Sequence, residues 1–152
     1  MRVIPYGGAK RVTGNSFYIE ARDVRLLVDC GMFQGEDEER NYEGFPFDPR
    51  DIDYLILTHA HIDHCGKIPL LVREGFKGKV ICTEPTAKLY RLMLLDASKV
   101  MYENYKTSLR KLARAGRIPK PPLYEEYDVL EALEYFKALL PYNKDYKLSK
   151  GV

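Results

Sequence analysis

All three histidines of this 152-residue chain fall within six residues, in the run Thr58-His59-Ala60-His61-Ile62-Asp63-His64. Random placement of three histidines would give that spacing about once in 4,000 arrangements, even before an aspartate is required among them. The run follows Asp53-Tyr54-Leu55-Ile56-Leu57, which reads as a buried strand. A polar cluster just beyond the end of a buried strand is where α/β folds build their sites. Imidazole and carboxylate are donors that borderline divalent metals such as zinc prefer, and alternating positions on a turn let them point into one cavity. Four donors on so short a segment would strain the backbone around a single ion. The spacing therefore implies two ions about 3.5–4 Å apart, sharing the loop with ligands from elsewhere.

Short strands are expected before this run, at Met1-Tyr6, Ser16-Glu20 and Val24-Asp29, punctuated by Gly7-Gly8 and Gly14-Asn15 and forming an antiparallel meander. A loop from Gly31 to Pro49 carries the acidic cluster Glu36-Asp37-Glu38-Glu39. After the histidines, Lys67 to Glu74 reads as a short helix stopped by Gly75, and Lys79-Val80-Ile81-Cys82 as another strand. Strand, metal loop, helix, strand is an α/β progression. Thr83 caps a long helix with Pro85 in its first turn, reaching toward Gly116, with Leu89, Leu92, Met93 and Val100 spaced along one face. A last helix is expected from Asp128, where Asp128-x-x-Glu131 resembles a capping box, through Leu133, Phe136, Leu139 and Leu140 to Pro141.

Length and 45% hydrophobic content fit one domain with a core, and a net charge of +2 does not by itself announce a nucleic-acid binder. Charge is segregated locally, however. Lys106, Arg110, Lys111, Arg114, Arg117 and Lys120 occupy a segment, 106–120, that holds no acid, so this segment is either a solvated helix face or a track for phosphates. Three widely spaced cysteines, Cys30, Cys65 and Cys82, suggest neither a disulfide framework nor a zinc ribbon. Cys65 adjoins the histidines but is read as a small buried residue. No stretch has the length and apolarity of a signal peptide or a membrane span, so the expectation is a cytoplasmic protein with no membrane partner.

The run from His59 to His64 strongly resembles the H-x-H-x-D-H signature of the metallo-β-lactamase superfamily. Three further segments look like its β-CASP nuclease branch: Gly8-Ala9-Lys10-Arg11-Val12-Thr13-Gly14-Asn15-Ser16, Leu27-Val28-Asp29-Cys30-Gly31-Met32-Phe33-Gln34-Gly35 and His64-Cys65-Gly66-Lys67-Ile68-Pro69-Leu70-Leu71. The resemblance implies half of an αββα sandwich, with a mixed sheet and flanking helices. It implies that His59 and His61 bind one zinc ion and that Asp63 and His64 bind a second. Asp63 would also act catalytically, orienting the attacking water, while Asp29 would hold the metal loop without touching metal. Gln34 is read as structural, and no residue is singled out for substrate binding.

The same resemblance implies a metal-dependent ribonuclease acting on single-stranded RNA in processing or decay. The branch also uses further histidines, a bridging aspartate and an inserted β-CASP cap domain, none of which this chain supplies. Residues 1–152 are therefore expected to be the N-terminal part of a longer enzyme, weakly active or inactive alone. A DNA-processing nuclease of the same branch remains open from the sequence, and so do two more distant alternatives. One is a thioester or carbonyl hydrolase of glyoxalase type, against which the Asp29–Gly35 segment argues. The other is a non-catalytic metal-binding module that self-associates, since an incomplete sandwich exposes apolar surface.

Overall fold

The computed structural model describes residues 1–148. Six strands, β1 (Arg2–Gly7), β2 (Ser16–Ala21), β3 (Val24–Val28), β4 (Tyr54–Ile56), β5 (Lys79–Thr83) and β6 (Phe136–Leu140), form one sheet in chain order. The first three are antiparallel. β2 and β3 are joined by the two-residue turn Arg22-Asp23, where Arg22 takes φ 56°, the left-handed geometry that matches strand twist in a tight hairpin. From β3 onward neighbouring strands run parallel, so each must return through a crossover. The result is the mixed sheet with flanking helices expected from the sequence.

Leu27, Leu55 and Val80 occupy the centre of the parallel strands with no exposed surface, and the helices pack over them. α1 (Ile62–Cys65) is a single turn and α2 (Ile68–Arg73) follows it, ending before Gly75 at φ 114°. α3 (Glu84–Ala113) runs for 30 residues, capped at its start by Thr83, whose hydroxyl accepts from Thr86 N. α4 (Glu126–Leu133) packs on α2 and α3. The loop expected between Gly31 and Pro49 carries a 3-10 helix, Gly35–Tyr42. Among the described residues, no helix is long and apolar enough to cross a membrane.

Two expectations are corrected. The last helix does not run from Asp128 to Leu140: α4 ends at Leu133, and Phe136–Leu140 is a strand paired in parallel with β5. Asp128 is not the cap but the third helical residue, and its Oδ2 accepts from Glu125 N at 2.8 Å. β5 lies between β4 and β6, so without β6 its backbone groups on that side would have no partner. On α3, the Leu89, Leu92, Met93 and Val100 stripe is exposed, Leu92 by 68%. The buried residues are Thr86, Tyr90, Leu94 and Ser98, repeating every four residues. Tyr90 sits under Phe136 with ring centroids 4.6 Å apart, so the side of α3 that faces β6 is the one that enters the core.

Candidate metal centre

The ends of β3 and β4 place the site. Asp29, just past β3, takes φ 60°, a left-handed conformation that aspartate tolerates better than most side chains. Its amide donates to Ile56 O at 2.9 Å, and Leu57 N donates to Ile81 O, extending the parallel pairing to the brink of the histidine run. The run is then sewn to the Asn15 and Cys30–Met32 segments. Asn15 N donates to Asp63 O, Cys30 N to His64 O, Met32 N to Ile62 O and Lys67 N to Cys30 O, all at 2.8–3.1 Å. Gly31 permits this approach, because a Cβ there would lie 1.6 Å from Asp63 O. His61 precedes α1, and both His64 N and Cys65 N donate to its carbonyl, so the one-turn helix fixes Asp63 and His64 relative to His61.

The buried Asp29 carboxylate organises the imidazoles. Its Oδ2 lies 2.8 Å from His64 Nδ1 and from Thr58 Oγ1, and its Oδ1 accepts from Thr58 N at 2.8 Å. A carboxylate only accepts, so His64 carries its proton on Nδ1 and presents the Nε2 lone pair to the site. The Thr58 hydroxyl spends its one proton on Asp29, so at 3.0 Å from His59 Nδ1 it acts as acceptor. His59 is thereby protonated on Nδ1 and also turns a bare Nε2 toward the site. One carboxylate sets two tautomers, the first directly and the second through Thr58.

The donors form two pairs. His59 Nε2 lies 3.1 Å from His61 Nδ1, and His64 Nε2 lies 3.5 Å from Asp63 Oδ2. Two ligands about 2.0–2.1 Å from a tetrahedral zinc sit about 3.3 Å apart, so both spacings match an edge of such a site. Asn15 Nδ2 lies 3.1 Å from both Asp63 Oδ2 and His64 Nε2, so two acceptors converge on one electropositive group. Partial burial lowers the pKa of His59 first, and the neighbouring His64 and His61 lower it further, which keeps the ring neutral as a ligand must be. The residues therefore fit divalent ions. Among the described residues, no group of three or more His, Cys, Asp or Glu side chains is arranged to hold a single ion.

The structure brings His59, His61, Asp63, His64 and Asp29 together. Cys65 is fully buried in the core, and burial pushes its thiol far up, out of a ligand's range. Cys30, also buried, is pushed up to about 12. The Gln34 amide donates to Thr13 Oγ1 at 3.1 Å, and the residue is exposed. Sequence reasoning missed the parts played by Asn15 and Thr58. Both stood inside quoted motifs, but Asn15 read as a turn residue after Gly14, and only the fold brings it to a loop 48 residues away.

The metallo-beta-lactamase superfamily model matches residues 9–138. The chain is 49% identical over 105 residues to ribonuclease TTHA0252 of Thermus thermophilus, an alignment covering 69% of this chain and 24% of that protein. It is 40% identical over 98 residues to transcription termination factor FttA of Methanocaldococcus jannaschii, covering 63% and 16%. It is 28% identical over 110 residues to an Integrator complex subunit 11 homolog of Dictyostelium discoideum, covering 68% and 15%. The chain thus spans a quarter or less of the length of these relatives. With Asp29 bound to His64 in the signature loop and the family match extending over residues 9–138, the chain belongs to the metallo-β-lactamase superfamily.

Proposed function

We propose that this chain carries the metal-binding loop of a two-metal phosphodiesterase of β-CASP type that cleaves single-stranded RNA. In this reading His59 and His61 hold one divalent ion, zinc in the first instance, and Asp63 and His64 hold the other. Such ions neutralise negative charge building on the attacking and leaving oxygens of a phosphodiester. Asp29 and Thr58 keep both imidazole lone pairs aimed at the site, and the second Asp63 oxygen orients the attacking water. The observation that carries the reading is the pair of donor spacings, 3.1 and 3.5 Å, in a loop where Asp29 sets the tautomers of His64 and, through Thr58, of His59. The names of the relatives, a ribonuclease and a transcription termination factor, favour RNA over a thioester. The three buried free thiols suit a reducing, cytoplasmic setting.

Elemental analysis after dialysis tests the metal assignment. Bound zinc is expected in the wild type and is expected to fall in His59→Ala and Asp63→Asn; equal metal in all three would refute the ligand set. Incubating the protein beside a labelled single-stranded RNA and a thioester tests the substrate. Slow, chelator-sensitive RNA cleavage that disappears in His61→Ala is expected. Thioester turnover with intact RNA would move the site to carbonyl chemistry.

A further inference from the structure

We propose that the end of α3 and the segment after it form a phosphate-tracking arm that binds single-stranded RNA outside the metal centre. This inference rests on the reading of RNA as substrate and adds a surface to it. Residues 106–120 hold six cations and no acid in a chain whose net charge is only +2, so the remainder of the molecule is net acidic. Elsewhere many of the described cations sit against carboxylates: Arg2 with Glu20, Arg11 with Asp37, Arg25 with Asp51, Arg50 with Asp48, Arg73 with Asp128 and Lys88 with Glu84. Arg110, Lys111, Arg114 and Arg117 are exposed and have no ion pair among the described residues.

Helix stability explains only part of this pattern, since Arg110 and Lys111 lie in the last turn of α3 and Arg114 is its C-cap. Cations favour the last helical turn, but Arg117 and Lys120 lie beyond α3, which ends at Ala113. Lys106, Arg110 and Arg114 recur every four residues, which places like charges side by side and opposes helix formation. At about 100° per residue, Lys106, Arg110, Lys111 and Arg114 fall within an arc of about 140° along roughly 12 Å of helix. Lys106 pairs with Glu103 at 2.8 Å, while Arg110, Lys111 and Arg114 have no ion pair among the described residues, and a row of cations of this kind matches a polyanion strand.

Aromatic side chains border the row. Tyr102 is half exposed with the Lys106 amine 5.1 Å from its ring centre, and Tyr42 is exposed with Lys120 at 4.8 Å. Cations interleaved with accessible rings provide both phosphate contacts and base-stacking platforms, the combination that single-stranded nucleic acids use. The base of the arm is fixed toward the metal loop. Lys120 pairs with Glu39, and the Tyr42 hydroxyl donates to Pro121 O at 3.1 Å, tying the arm to the 3-10 helix. Asn41 in that helix exchanges two 2.8 Å hydrogen bonds with Phe33, whose ring packs on Gly14, next to the Asn15 that contacts Asp63 and His64.

The test is fluorescence anisotropy of a labelled oligouridylate with the full chain in chelator, so that binding is read without cleavage. The Arg110→Gln/Lys111→Gln/Arg114→Gln/Arg117→Gln variant is expected to bind at least tenfold more weakly. Its slope of log affinity against log salt should be shallower by about 3, from about 0.7 per lost phosphate contact. The Arg110→Lys/Arg114→Lys/Arg117→Lys variant should keep the wild-type slope, and circular dichroism should show both variants folded. Unchanged affinity and slope in the glutamine variant would overturn the proposal. So would loss of polyglutamate binding with RNA binding intact, which would make the arm a dock for an acidic protein. RNA that binds through the arm of a wild-type chain that takes up no zinc would sink the metal-centre reading and leave the arm standing.

Discussion

Replacing Asp29 by asparagine is nearly isosteric and should misalign two metal ligands at once. The introduced amide keeps one acceptor oxygen, which can still receive Thr58 N, the 2.8 Å contact that anchors the loop backbone. Its NH2 group then occupies the Oδ2 position, facing His64 Nδ1 and the Thr58 hydroxyl, which now sit 2.8 Å from an acceptor. Two donors cannot share that contact, so His64 must move its proton to Nε2, removing the lone pair offered to the site. Thr58 loses an acceptor for its hydroxyl, and its hold on the His59 tautomer weakens as well. Removing a partner that orients a metal-bound histidine typically costs 10–100-fold in metal affinity. That corresponds to about 1.4–2.7 kcal/mol. Calorimetric zinc titration of wild type and Asp29→Asn reads the loss, and 15N-resolved imidazole spectra of the metal-free proteins read the tautomers. Thr58→Val serves as a partial control: it should disturb His59 while leaving His64 protonated on Nδ1, and Thr58→Ser should restore both. Wild-type zinc affinity in Asp29→Asn, with His64 still protonated on Nδ1, would refute the argument.

Three further outcomes follow from the same geometry. Gly31→Ala should destabilise the fold by about 3 kcal/mol or more in urea denaturation, since its Cβ would meet Asp63 O at 1.6 Å. Gly35→Ala, where nothing lies within 4 Å but φ is 66°, should cost only about 1–2 kcal/mol for the left-handed backbone, and equal losses at the two sites would refute the close-approach account. Tyr90→Phe should stabilise the protein by about 1 kcal/mol, raising Tm by roughly 2–4 °C, because the buried Tyr90 hydroxyl has no hydrogen-bond partner among the described residues; a lowered Tm would reveal one. His59 should titrate below the usual histidine value in an NMR pH series of the metal-free protein. Its folded pKa lies below its unfolded one, so the stability it contributes is present above about pH 6.5 and is lost as pH falls through the folded value; a midpoint at or above the ordinary value would contradict the burial argument.

The parts of the molecule legible in the sequence are those whose pattern admits one solution. β1 to β3 alternate between clear turn signals, and β4 is apolar and followed at once by donors, so both the meander and the position of His59, His61, Asp63 and His64 could be read from neighbours in the chain. Phe136–Leu140 shows where local reading runs out. Leu133, Phe136, Leu139 and Leu140 satisfy a helical spacing, while Phe136, Ala138 and Leu140 satisfy a strand spacing, and nothing within the segment decides between them. The decision comes from β5, 56 residues upstream, where Val80 pairs with Phe136 and the strand's open side needs backbone partners. The same strand then decides α3: with β6 in place, Phe136 meets Tyr90 and turns the Tyr90–Leu94 side inward, leaving the more apolar Leu89–Leu92 side exposed. Asn15 and Thr58 are the counterpart at the site, because a side chain that steers ligands declares itself only through what the fold sets beside it. A motif can therefore mark the candidate donors of a centre, whereas the residues that set their protonation are fixed by contacts between distant segments.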